Sequence, residues 1–93
     1  MTYEIVLTDY NLIAKKLLKN GHEEFIIPIE NVLTISAEQK DIADNLNNPR
    51  AYIDAQNINK AVVVTLKNET HERLVLEVSD PEAVILKLRA AIN

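Results

Sequence analysis

Apolar and polar residues alternate over much of the chain, which is the pattern of half-buried β-strands. In "TYEIVL" near the N-terminus, Tyr3, Ile5 and Leu7 fall on one face and Thr2 and Glu4 on the other. The stretches "EEFIIPI" and "NVLTISA" predict two further strands. Since proline cannot donate to a ladder, Pro28 predicts that the first of these is an edge strand or ends there.

The phrase Leu-Lys-Asn followed by His-Glu occurs twice, in "LKNGHEEF" and in "LKNETHERL". The second copy lies between the strand-like segments "AVVVTL" and "ERLVLEV", so it predicts a hairpin that turns at residues 68–70. By analogy the first copy predicts a hairpin that turns at Asn20-Gly21, a strong hairpin signal. The repeat therefore indicates a turn used twice rather than a duplicated binding motif.

Residues 10–19, "YNLIAKKLLK", fit two structures. As a helix they would place Tyr10, Ile13 and Leu17 on one stripe, with a cap at Asp9 and an end at Gly21. As a strand they would supply the first half of the first hairpin. The analogy between the two hairpins favours a strand over residues 12–19.

The region 38–59 is largely polar and predicts a short helix or an ordered loop with Ile42, Ala43 and Leu46 on its apolar side. Asn-Asn-Pro at 47–49 would end it, and "AYIDA" predicts a weak strand.

The last segment, "SDPEAVILKLRAAIN", predicts an amphipathic helix with Asp80 as its N-cap and Pro81 at its first position. Its predicted buried stripe consists of Val84, Ile85, Leu88, Ala91 and Ile92.

Length and composition predict one globular domain spanning residues 1–93, since 47% of its residues are hydrophobic. The chain has no cysteine, which excludes disulfides, thiolate metal sites and a cysteine nucleophile. Its net charge of −4 argues against nucleic acid and disfavours an anionic membrane as partners. We expect a cytoplasmic protein because no signal-peptide pattern or apolar run of 18 residues occurs.

The order of about seven strands and one closing helix resembles that of bacterial pleckstrin-homology-like (PH-like) domains. "YEIVLTDYNLIAKK" is similar to their opening hairpin, "IPIENVLTI" to the start of a following strand, and "LVLEVSDPEAVILKL" to the final strand and capped helix. Residues 38–59 and the scarcity of glycine depart from the family pattern.

This resemblance implies a mainly β half-barrel of about seven strands, plugged at one end by the C-terminal helix. It also implies a non-catalytic binding or assembly module, since such bacterial domains include ring-forming and dimeric members. The alternative fold, an α+β ferredoxin-like sandwich with a ligand-binding or enzymatic role, would follow if residues 10–19 were helical.

A group of basic residues near the first turn is one candidate site. Lys15, Lys16, Lys19 and His22 flank the first turn, where phosphoinositide-binding PH domains carry basic residues, so an anionic lipid headgroup is an alternative ligand. The Glu23-Glu24 pair that follows would repel phosphate. A solvated cationic edge is the favoured interpretation.

The two His-Glu pairs, with His22 and His71, form only a weak metal motif, and we expect no metal or other cofactor. Asp41 and Asp44 lie in the polar region, where solvation would keep them from acting as a tuned acid and base, so we expect no enzyme.

Self-association is the favoured function because two elements carry more apolar residues than one core needs. The last helix adds Ala83, Leu86 and Ala90 outside its buried stripe. The strand at 61–66 is apolar on both faces, so Val63 is also predicted to face a partner, most simply a second copy of the chain.

Overall fold

The computed structural model describes residues 2–92 and consists of two β-sheets and two α-helices. Two short 3-10 turns, Ile29–Asn31 and Ile58–Lys60, precede the fourth and sixth strands. The elements, in chain order, are β1 (Glu4–Leu7), β2 (Asn11–Leu18), β3 (Gly21–Pro28), β4 (Val32–Ser36), α1 (Gln39–Asn45), β5 (Ala51–Asp54), β6 (Ala61–Leu66), β7 (Arg73–Glu77) and α2 (Pro81–Ile92).

The first sheet is an antiparallel meander in the order β1-β2-β3. The prediction of a strand at residues 12–19 is thus confirmed by β2, and the ferredoxin-like alternative, which required a helix over residues 10–19, is wrong. The β2–β3 turn consists of Lys19 and Asn20, one residue earlier than predicted, because Leu18 pairs with Gly21. Gly21 begins β3 with φ of +147°, a conformation that side-chain-bearing residues rarely adopt.

The second sheet has the order β4-β6-β7-β5. The predicted hairpin of β6 and β7 is confirmed, with Asn68 at φ +57° in its turn region. β5 pairs with β7 in parallel, which the sequence did not predict. A parallel bridge between Tyr3 and Val78 links the two sheets, but within residues 2–92 the sheets do not close into a barrel.

The main core lies between the inner faces of the two sheets, where alternate residues of the strands meet. α2 packs against this core through Leu88, which is fully buried, and through Val84 and Ile85. As predicted, Asp80 caps the helix, because its Oδ1 accepts a hydrogen bond from the Ala83 N–H at 3.2 Å. Ala91 is exposed, so its predicted place in the stripe is wrong, and the side chain of Ile92 lies outside the described residues.

A second, smaller core lies on the outer face of the four-stranded sheet, under α1. Ile42 of α1 is fully buried there against the sheet. Ala43 and Leu46, which were predicted on the same apolar side, are exposed. The polar region 38–59 therefore supplies the cover for this face, and this explains why β6 can be apolar on both sides.

Candidate functional site

The predicted interface residues fall into two groups. Ala83, Leu86 and Ala90 are exposed on α2, and 72% of Leu86 is accessible to solvent. Val63 is only 3% exposed, because it packs under α1 in the smaller core. The prediction that Val63 faces a partner is thereby corrected: the second apolar face of β6 is covered by the chain itself.

The four predicted basic residues do not form one patch. Successive residues of a strand point to opposite faces, so Lys15 lies on the outer face of the three-stranded sheet and Lys16 on its inner face. Lys15 stands between Glu4 and Glu24, its register partners on the two neighbouring strands. Lys19 and His22 are exposed near the turn.

The two histidines also belong to different surroundings. The ring of His71 lies 5.4 Å from that of Tyr52, centre to centre, whereas His22 is exposed in the first hairpin. Across residues 2–92 no three histidine or acidic side chains come together in a way that could hold a metal ion.

An uncovered apolar surface that the sequence analysis did not identify lies on the outer face of the three-stranded sheet. The register aligns Val6 of β1, Ile13 of β2 and Ile26 of β3 directly across the strands, and we name these three residues the apolar row. Val6 and Ile26 are 41% and 58% exposed, and Ile13 between them is half-buried. Neighbouring strands are about 4.8 Å apart, so the row forms one contiguous aliphatic strip.

The rows on either side of this strip differ in character. Glu4, Lys15 and Glu24, here named the charged row, lie two residues to one side. Asn11 and Pro28, which are register partners on β2 and β3, lie two residues to the other side. The alternation of apolar and polar residues within one strand does not fix the register between strands. The apolar row is therefore visible only when β1, β2 and β3 are aligned.

A polar cluster closes part of the main core between the two sheets. It consists of Tyr3, Lys16, Glu23 and Asp54. The Tyr3 hydroxyl lies 2.8 Å from Asp54 Oδ2 and 3.0 Å from Glu23 Oε2. The Lys16 ammonium pairs with Asp54, lies 3.8 Å from Glu23 Oε2 and sits 5.2 Å from the centre of the Tyr3 ring.

The ionisation of the polar cluster follows from these contacts. The hydrogen bond to Asp54 raises the pKa of Lys16 despite some burial of the ammonium. Burial raises the pKa of the Asp54 carboxyl, but hydrogen bonds from Lys16 and Tyr3 outweigh it and leave this pKa below its ordinary value. Burial, with hydrogen bonds to the two carboxylates, raises the pKa of Tyr3.

Two further aromatic rings, Phe25 and Tyr52, extend the cluster. Phe25 lies 6.2 Å from Tyr3 and 5.0 Å from Tyr52, centre to centre, with an edge-to-face geometry toward Tyr52. The Tyr52 hydroxyl donates to Glu23 Oε2 at 3.3 Å. A nucleophilic lysine would need a lowered pKa, whereas Lys16 is held as an ammonium, so the arrangement suits a structural tie between the sheets.

Comparison with protein-family models, with curated proteins and with solved structures finds no match to this chain. None of the helices within residues 2–92 has the length and apolar character needed to traverse a membrane.

Proposed function

We propose that the chain is a non-catalytic, cytoplasmic interaction module of the PH-like class that self-associates through the outer face of its three-stranded sheet. The observation that carries this proposal is the apolar row. An antiparallel sheet with one wet face normally places polar side chains outward, but here three aliphatic residues stand side by side in that position. The corresponding face of the four-stranded sheet has its own cover in α1.

The partner is a second copy because the face is self-complementary. A two-fold axis along the apolar row would stack this row on its symmetry mate. The same axis exchanges the rows on either side, so the charged row of one copy would face Asn11 and Pro28 of the other. Like charges are thereby kept apart. Within the charged row Lys15 already stands between two carboxylates. Burial of this row in the dimer would therefore bury only one net negative charge per copy.

The size of the face sets the strength of the association. Three strands at their usual spacing and length present roughly 300 Å² of sheet, well below the ~800 Å² per partner of a standard stable complex. We therefore expect a dimer that dissociates on dilution.

The PH-like part of the proposal is supported by the order of elements, seven strands followed by a capped helix that packs on the main core. The helix α1 and the parallel pairing of β5 are additions to that plan.

The lipid-headgroup alternative has less support. Lys16 is engaged with Asp54 in the interior, and Lys15 has a glutamate on each side. Lys19 and His22 alone would offer a phosphate little charge.

Introduction of a charge at the sheet face tests the proposal. In Ile26→Glu a carboxylate replaces the β3 end of the apolar row, beside Glu24 of its own strand and opposite the same carboxylate of the other copy. We therefore expect the dimer to dissociate at least tenfold more readily in sedimentation velocity across a concentration series. Ile26 is exposed, so the far-ultraviolet circular dichroism should be unchanged.

The matched control is Leu86→Glu, which places the same charge on α2. Leu86 lies on a helix surface that it shares with Glu82 and Arg89 rather than in an aliphatic row. We therefore expect the Leu86→Glu dimer to dissociate as readily as the wild-type dimer. A wild type that remains monomeric at millimolar concentration, or an Ile26→Glu dimer as stable as the wild type, would contradict the proposal.

A further inference from the structure

A polar cleft of about 410 Å³ lies on the opposite side of the molecule, between α1 and the outer face of the four-stranded sheet. Its volume falls within the range of small-molecule sites. Unlike most such sites it is lined mainly by polar side chains, and it is separate from the sheet face proposed for self-association.

The floor of the cleft is a cross-strand row on three strands. Thr34 of β4 pairs with Thr65 of β6, which pairs with Arg73 of β7. The buried neighbours of these residues, Ile35 and Leu74, point inward, so the row points outward beside the part of the sheet that α1 covers. Two hydroxyls and a guanidinium therefore lie in line on one surface.

The wall of the cleft is formed by α1 and the turn after it, and hydrogen bonds hold three of its side chains, those of Asp41, Asn45 and Asn48. Asp41 accepts a hydrogen bond from the Ser36 hydroxyl. Asn45 Nδ2 donates to the Asp41 carbonyl at 2.8 Å, and Asn48 Nδ2 donates to Asn45 Oδ1 at 3.1 Å. Asp44 is exposed at the rim of the same wall.

The cleft thus has a guanidinium on its floor and two carboxylates on its wall, without an ion pair between them among residues 2–92. The hydrogen bond that the Arg73 guanidinium makes runs from Nη1 to the Glu72 carbonyl at 3.3 Å, along its own strand. Within residues 2–92 no ion pair links Arg73 to Asp41 or Asp44. Most donors of the guanidinium fork remain available to a ligand.

We propose that this cleft binds a small zwitterion, whose carboxylate is held by Arg73 and whose ammonium is held by Asp44, with Asp41 behind it. A planar guanidinium binds a carboxylate through two parallel hydrogen bonds. A simple anion would be repelled by the two aspartates and a simple cation by Arg73, whereas a molecule with both charges satisfies both sides. The threonine hydroxyls would contact the middle of the ligand.

A ladder of ω-amino acids tests the charge pattern and the span together. The probes are glycine, β-alanine, γ-aminobutyrate and 6-aminohexanoate, each titrated to 20 mM against ¹⁵N-labelled protein, with butyrate and butylamine as single-charge analogues. We expect saturable amide shifts at Thr65, Arg73 and Asn45 for one chain length above the others. The analogues should bind at least tenfold more weakly than that probe.

Two variants complete the test. Arg73→Gln and Asp44→Asn should each abolish the saturable shifts, while Arg50→Gln, the same change at an exposed arginine paired with Glu72 outside the cleft, should leave them intact. The proposal is overturned if no member of the ladder gives saturable shifts, if butyrate or butylamine binds as well as the best zwitterion, or if Arg50→Gln has the same effect as Arg73→Gln.

Discussion

At the scale of single residues, Lys16 has the role that sequence alone could not assign. "KK" at 15–16 gives two chemically identical side chains, and only the strand prediction separates them onto opposite faces. The partners of Lys16 come from other elements: Glu23 lies across the first hairpin, and Asp54 is 38 residues away. No local pattern encodes such a pairing.

Removal of the Lys16 charge should therefore destabilise the fold. Lys16→Met keeps the aliphatic stem but leaves Asp54 and Glu23 facing each other without a cation, and the Lys16 side chain is only 13% exposed. We expect the free energy of unfolding in urea to fall by about 1–3 kcal/mol.

The control for this variant is Lys19→Met at the exposed turn of the same hairpin, which should change the free energy of unfolding by less than about 0.5 kcal/mol. Equal effects of the two substitutions would show that the polar cluster does not tie the sheets together.

The same cluster predicts a dependence of stability on acid. The pKa of Asp54 is lower in the folded protein than in the unfolded chain, where it is about 3.9. The contribution of Asp54 to the free energy of unfolding is therefore complete above the unfolded-state pKa, and it is lost as the pH falls through the folded-state pKa. Glu77 acts in the same direction, since the backbone N–H groups of Asn57 and Gln56 lower its pKa.

Urea unfolding at pH 6 and at pH 2.5 measures this effect. The free energy of unfolding of the wild type should be lower at pH 2.5 than at pH 6. The decrease should be smaller in Asp54→Asn, because the asparagine side chain has no carboxylate to protonate. An identical loss in the variant would contradict the assigned pKa direction.

At the scale of elements, alternation predicted the strands well because each strand has one face in the main core. It could not say what covers the outer faces. Val63 and Ile42 are 21 residues apart and belong to segments that seemed unrelated, one an apolar strand and the other a polar insert. The parallel pairing of β5 with β7 likewise depends on a chain crossing that residue patterns do not record.

Because α1 covers part of the four-stranded sheet, the residue that anchors this helix should contribute to stability. Ile42 is fully buried against the outer face of the four-stranded sheet, so Ile42→Ala should lower the free energy of unfolding by about 2–4 kcal/mol. Leu46→Ala, just after the same helix, removes a side chain that is 39% exposed and should cost markedly less. A small effect of Ile42→Ala in urea unfolding would mean that α1 is not anchored on the sheet.

At the scale of the whole molecule, the two sheets have different outer faces. The four-stranded sheet is covered in part by α1, and beside this helix lies the polar cleft. The three-stranded sheet has no such cover from the described chain, and it carries the apolar row outward. The proposed association and the proposed ligand binding therefore use surfaces on different sheets.

Intermolecular methyl contacts test the proposed self-association most directly. In an equimolar mixture of ¹³C-labelled and unlabelled protein at millimolar concentration, an isotope-filtered NOE experiment detects contacts between copies alone. We expect cross-peaks that join the methyl groups of Val6, Ile13 and Ile26 across the two-fold axis. Dimers whose only intermolecular cross-peaks involve Leu86 or other residues away from the apolar row would contradict the proposed interface.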